Sequence, residues 1–142
     1  MIKNISLADV WVKDVDASKA FYVDVLGFEE HTDITLGDGF RWCTVKHPNQ
    51  PELAVHLTPA GPPYSPDMVA AINRSLDEGG TFALGLNVDN CRSTCAELRA
   101  KGVQVINEPE DRPYGVEALI RDNSGNWIVL VEPREFTPED FT

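Results

Sequence analysis

Apolar side chains along this chain recur with period two over most stretches and with helical spacing over three. Ile5 to Val12 alternates and predicts a strand. Asp14-Val15-Asp16 then places acids where a helix N-terminus favours them, Phe21, Val25 and Leu26 follow at helical spacing, and Gly27 stands at a left-handed C-cap position. Phe28 to Thr35, Phe40 to Lys46 and Glu52 to Thr58 predict three more strands, separated by Gly37-Asp38-Gly39 and His47-Pro48-Asn49. The result is one βαβββ unit.

Ala60-Gly61-Pro62-Pro63 breaks the pattern. Ser65-Pro66-Asp67 opens a helix with the stripe Met68, Val69, Ile72 and Leu76, and Gly79-Gly80 closes it. This helix reads as a connector. From Thr81 the order repeats: a strand over Thr81 to Val88, a helix over Asn90 to Lys101 with Cys91, Cys95 and Leu98 on one face, and strands over Gln104 to Asn107, Gly115 to Arg121 and Asn126 to Glu132. Glu108-Pro109-Glu110-Asp111 reads as a solvated loop and Asp122-Asn123-Ser124-Gly125 as a hairpin turn. Asp14 and Asp89, Ser18 and Ser93, and Gly27 and Gly102 are each 75 residues apart, so the halves read as a duplication. One domain is expected, with modules over about 4–60 and 81–133, the connector over 61–80 and an acidic tail over 134–142.

Strand alternation sorts side chains onto two faces. Ala8, Val10 and Val12 oppose Leu7, Asp9 and Trp11; Leu53, Val55 and Leu57 oppose Ala54, His56 and Thr58. Phe82, Leu84, Leu86 and Val88 oppose Ala83, Gly85 and Asn87, while Ile128 and Leu130 oppose Trp127, Val129 and Val131. The aliphatic faces suit helix packing. The others mix small residues with Trp11, Trp127, Asp9, Asn87, Thr58 and His56, which suits an apolar cavity holding a few placed polar groups, or else a subunit interface.

Twelve Lys and Arg against 23 Asp and Glu give a net charge of −11, which disfavours nucleic acid and anionic membranes as partners. The charge serves solubility, or draws in a cationic small molecule. Apolar runs are too short to cross a bilayer, and Met1 to Val10 lacks signal-peptide character, so a cytoplasmic protein is expected. Three cysteines do not make a disulfide framework, and Cys91 and Cys95 read as buried packing beside Leu98.

Val12-Lys13-Asp14, Ser18, Phe21-Tyr22 and Leu26-Gly27-Phe28 resemble the vicinal oxygen chelate superfamily of glyoxalase I, extradiol dioxygenases and bleomycin-resistance proteins. So, in the second half, do Val88-Asp89, Leu98 with Gly102, Tyr114-Gly115 and Arg121-Asp122 followed by Ser124-Gly125-Asn126. The likeness spans nearly all of the chain outside the connector and the tail. It implies an α+β fold of two βαβββ modules forming a cupped mixed sheet with helices on the convex side, usually as a homodimer, with the ligand inside the cup. Metal-using members hold their ion with His, Gln or Glu at positions that fall here on Leu7, His56, Ala83 and Val129. Three of those four cannot donate, so the resemblance implies the cup and the substitutions imply no metal and no cofactor. His31 and His47 read as exposed residues in or beside loops.

Two readings follow. In the first, the protein binds an organic molecule, such as a cationic drug or metabolite: Trp11, Trp42 and Trp127 supply stacking area, and Asp9, Asn87 and Glu117 fix polar groups. In the second it is a family enzyme (a lyase, isomerase or dioxygenase), either metal-free with His56 as general base, or metal-dependent through non-standard ligands such as Glu117, Asp9 or His56.

Overall fold

Period-two patterning becomes eight strands in the computed structural model, which describes residues 1–142. The strands form two four-stranded mixed sheets with three α-helices, an α+β architecture. The chain divides into two compact units, Met1–Ala83 with Asn123–Asn126, and Leu84–Asp122 with Trp127–Thr142. The sheets are ordered β1-β4-β3-β2 and β5-β8-β7-β6, so the internal repeat seen in the sequence is a repeat of topology.

In the first unit, β1 (Leu7–Trp11) lies parallel to β4 (Gln50–Thr58), which pairs antiparallel with β3 (Arg41–His47), and β3 with β2 (Glu29–Thr35). Helix α1 spans Val15–Ala20 and is capped by Asp14, whose carboxylate accepts from the Ala17 N–H at 2.8 Å. The helix then widens: Phe21–Val25 is a π-helical turn in which the Leu26 N–H reaches back to the Phe21 carbonyl. The sequence pattern suggested one uninterrupted α-helix there. The wider turn leaves Tyr22 fully buried, edge-on to Phe21 and Phe28. Burying such a ring contributes about 1.5–3 kcal/mol. Gly27 follows at φ +82°, the left-handed conformation expected of it.

Arg41 clamps Asp33 of β2 with Nε at 2.9 Å and Nη2 at 2.8 Å, and its Nη2 also reaches Asp16 of α1 at 2.8 Å. Lys19 of α1 donates to Asp33 Oδ2, which it shares with Arg41 Nη2, at 2.9 Å and pairs with Glu30 at 2.9 Å. The network ties α1 to β2 and β3 through a carboxylate that is only 17% exposed. Connector helix α2 (Pro66–Glu78) starts at Ser65, whose hydroxyl accepts from the Met68 N–H, and buries Ile72 and Leu76.

The turn 123–126 belongs to this unit, although the strands on either side of it belong to the other. Ser124 Oγ accepts from the Lys13 N–H at 3.0 Å, and the Asn123 amide donates to Ser18 Oγ at 3.0 Å. Asn126 is completely buried; its amide donates to the Trp11 carbonyl at 2.6 Å, and its Oδ1 accepts from the Thr81 hydroxyl at 2.6 Å and the Thr81 N–H at 3.3 Å. Gly80, at φ +80°, lies so close to the Gly125 carbonyl that a Cβ would collide with it.

The second unit begins within β5 (Phe82–Asn87), which neighbours β8 (Trp127–Pro133); β8 pairs antiparallel with β7 (Gly115–Arg121), and β7 with β6 (Val105–Arg112). Helix α3 (Cys91–Ala100) packs on β6, β7 and β8 and buries Cys91, Cys95 and Leu98 as expected. Its cap is Asn90, not Asp89, so the two helix starts are offset by one position within the repeat. Burial pushes the Cys91 thiol up to about 11.

Three local expectations are corrected. Glu108-Pro109-Glu110-Asp111 is strand, not loop; β6 is an edge strand with two register shifts, which accommodates a proline and a row of acids. His31 lies within β2 rather than in or beside a loop, whereas His47 ends β3 beside the turn at 48–49 as expected. The apolar face of β5 is poorly covered, with Phe82 53% exposed and Leu84 and Leu86 half-buried. No helix is long and apolar enough to cross a membrane.

Replacing the fully buried Asn126 with Ala removes its hydrogen bonds to the Trp11 carbonyl and to Thr81, so Asn126→Ala is expected to lower unfolding free energy by about 2–3 kcal/mol in urea titrations. The Arg41 and Lys19 cations hold the Asp33 carboxyl well below the usual carboxylate range. A depressed folded-state pKa stabilises above the unfolded value of about 3.9 and is lost as pH falls below it. Asp33→Asn is therefore expected to be less stable than the parent at pH 7, with the difference in denaturation midpoint shrinking steadily below about pH 4.

Candidate functional site

In the first unit the parallel register sets Asp9 of β1 opposite His56 of β4, and β3 sets Thr44 opposite His56 from the other side. Alternation then gathers Asp9, Trp11, Trp42, Thr44 and His56 on one face of the sheet. The other face carries Val10, Cys43, Val45, Val55 and Leu57, all buried, together with Arg41 reaching α1.

His56 is the centre of the polar face. Its Nδ1 is 3.1 Å from Asp9 Oδ1, and the Asp9 side chain is about half exposed (49%). The imidazole itself is only 6% exposed. Trp42 lies against it with ring centroids 4.2 Å apart and planes tilted by 33°. Phe40, 41% exposed and just ahead of β3, stands edge-on at 6.0 Å. The Nε2 atom of His56 is closed off from water and has no hydrogen-bond partner. Buried polar atoms are rarely left so, and each that is calls for an explanation.

Trp11 extends the same face and meets Tyr64 edge to face at 5.1 Å, with Tyr64 44% exposed. Of the residues expected from the sequence, Asp9, Trp42 and His56 are thus in direct contact, with Trp11 two positions along β1. Phe40 and Tyr64 join them without having been singled out. Phe40 opens a predicted strand whose two faces were not sorted, and Tyr64 lies in the connector, where no periodicity points inward.

His31 Nδ1 bonds Thr44 Oγ1 at 3.0 Å, and His47 Nδ1 accepts from the Asn49 N–H at 3.1 Å, so both are engaged locally.

The three candidates of the second unit are dispersed. Asn87 ends β5 and is exposed. The next residue, Val88, donates its N–H to the Val131 carbonyl, and Val131 is paired with Glu117, so Asn87 and Glu117 flank one end of β8. Trp127 starts β8 opposite Arg121, about 13 Å away along the strand. Glu117 already has partners: Tyr114 Oη donates to it at 2.6 Å, and Arg112 Nε lies 3.9 Å away. The tail folds onto the same tyrosine. Phe141, in the 3₁₀ turn Pro138–Phe141, stacks on Tyr114 at 6.3 Å, and Phe136 meets both rings edge-on.

Residues 4–130 match the model of the Glyoxalase/Bleomycin resistance protein/Dioxygenase superfamily, and the chain belongs to that family. Among solved structures, UcmS2 is 39% identical with a TM-score of 0.83, over 93% of this chain and 99% of that one. TnmS3, an antibiotic binding protein from Streptomyces sp. CB03234, is 29% identical with a TM-score of 0.74, over 94% of this chain and 98% of that one. A probable lactoylglutathione lyase of Synechocystis sp. (strain ATCC 27184 / PCC 6803 / Kazusa) is 32% identical over 127 residues, 85% of this chain and 88% of that protein. The family therefore contains both antibiotic binders and enzymes.

The metal ion that enzymes of this family use does not fit the side chains present. Leu7, Ala83 and Val129 have no lone pair to offer at the family's ligand positions, and nowhere do three or more His, Cys, Asp or Glu cluster in a way that could hold an ion.

The Glu117 carboxylate accepting its hydroxyl hydrogen raises the Tyr114 phenol above the ordinary range, since ionisation would set two negative charges side by side. Ultraviolet titration is expected to show one tyrosine ionising above the others, and Glu117→Gln to bring it down towards them.

Proposed function

We propose that this protein binds an organic molecule of antibiotic type, with a flat aromatic surface and basic groups, without using a metal ion. The observation that carries this reading is the aromatic face of the first unit: Phe40, Trp42, Trp11 and Tyr64, each half-buried or exposed, surround the His56–Asp9 pair. A sheet face left to water seldom gathers two tryptophans, and such a surface is suited to stacking. The half-exposed Asp9 carboxylate, within a chain of net charge −11, favours a cationic guest. The full-length likeness to an antibiotic binding protein points the same way. In unit two, Asn87, Glu117 and Trp127 are read as secondary polar and stacking contacts. The exposed apolar side chains Ile34, Phe82 and Phe136 support a homodimer.

The contact between Asp9 and His56 favours a second reading, in which a carboxylate orients an imidazole as general base in a metal-free enzyme. A lyase or isomerase activity insensitive to chelator and abolished by His56→Ala would establish it.

Calorimetric titration with a basic glycopeptide antibiotic of the bleomycin type separates the readings. Saturable heat is expected, unchanged by EDTA, with affinity falling at least about tenfold in Trp42→Ala. No heat at millimolar antibiotic would sink the binding reading.

A further inference from the structure

We propose that His56 Nε2 accepts a hydrogen bond from an aryl hydroxyl group of the ligand, and so selects hydroxyarenes over flat molecules that lack a donor. The inference rests on the binding reading above and names the chemistry of its guest.

The argument starts at the other ring nitrogen. Asp9 Oδ1 is a carboxylate oxygen and only accepts, so its 3.1 Å contact places the ring hydrogen on His56 Nδ1. In the neutral ring Nε2 is then a bare lone pair, and it is this atom that is buried without a partner. An unpaired N–H in the same place would leave a donor stranded. The lone pair lies in the plane of the imidazole, and Trp42 covers that ring at 4.2 Å with planes 33° apart. A group meeting Nε2 along its lone pair therefore belongs to a molecule lying alongside the Trp42 face, which a flat ring does and a branched chain does not.

The donor is a neutral hydroxyl for two reasons. An ammonium drawn in among Trp42, Phe40 and the imidazole would lose its hydration, at greater cost than a hydroxyl. A carbonyl or ether oxygen would face the lone pair with one of its own. Phe40, exposed just ahead of β3, stands edge-on to the same imidazole at 6.0 Å. His56 occupies one of the family's metal-ligand positions, where the same lone pair would go to an ion. Here, with no companion ligands, a proton donor takes that place.

The test compares 1-hydroxypyrene with 1-methoxypyrene, titrated into the protein and followed by tryptophan fluorescence. The parent protein is expected to bind the hydroxyl compound at least about tenfold more tightly, as one buried hydrogen bond implies. His56→Phe is expected to bring the two affinities within about threefold of each other. Multiple-bond ¹H–¹⁵N spectra of the parent protein, which need no variant, should show His56 protonated at Nδ1 and bare at Nε2, with the Nε2 resonance moving only when 1-hydroxypyrene is added. Equal affinity of the parent for both pyrenes, or a hydrogen on Nε2, overturns the hydroxyl assignment and leaves aromatic binding standing. Failure of both pyrenes to bind overturns the hydroxyarene assignment, while the antibiotic titration above decides the binding reading by itself.

Discussion

The parallel pairing of β1 with β4 is the constraint on which the site depends. It sets Asp9 against His56, and a slip of one residue would turn Asp9 and Trp11 to the buried face and bring Val10 and Val12 out. The aliphatic side chains enforce the register. Val10, Val55 and Leu57 are almost completely buried, and exposing them would cost several kcal/mol. Side chains that take no part in binding thereby hold a carboxylate beside an imidazole. The Arg41–Asp33–Lys19 network and the Asn126 contacts steady the rest of the unit, one joining α1 to the sheet and the other joining the end of β1 to the start of β5.

The two units share a topology but not a chemistry. In the first, the polar face keeps a buried imidazole with an unused nitrogen, surrounded by aromatic rings. In the second, Glu117 of β7 is taken up by Tyr114 and Arg112, and the tail's phenylalanines close over the tyrosine. Duplication supplies equivalent positions, while the side chains placed there decide which of them remain free to meet a ligand. Family membership accordingly says less about function than the side chains do, because the family holds enzymes and binders on one fold.

Much of the architecture was legible in the residues. Alternation marked the strands, Gly27 and Gly102 marked helix ends, and the 75-residue offset announced two similar halves, because each of these signals is local and repeats with a fixed period. The π turn at Phe21–Val25 and the strand through Glu108–Asp111 were not legible. The first is set by how deeply Tyr22 must sink, and the second by pairing with β7, which outweighs the loop-like composition of an edge strand.

Of the site, the sequence by itself determined the inventory: which face carries Asp9, Trp11 and His56, and that Leu7, Ala83 and Val129 cannot ligate a metal. Those conclusions need only side-chain chemistry and a period of two. Only the tertiary structure decided that Asp9 and His56 meet 47 residues apart, that Trp42 covers the imidazole, that Phe40 and Tyr64 complete the aromatic surface and that Glu117 is already engaged. Contact between distant strands follows from their order and register within the sheet, which no local pattern encodes.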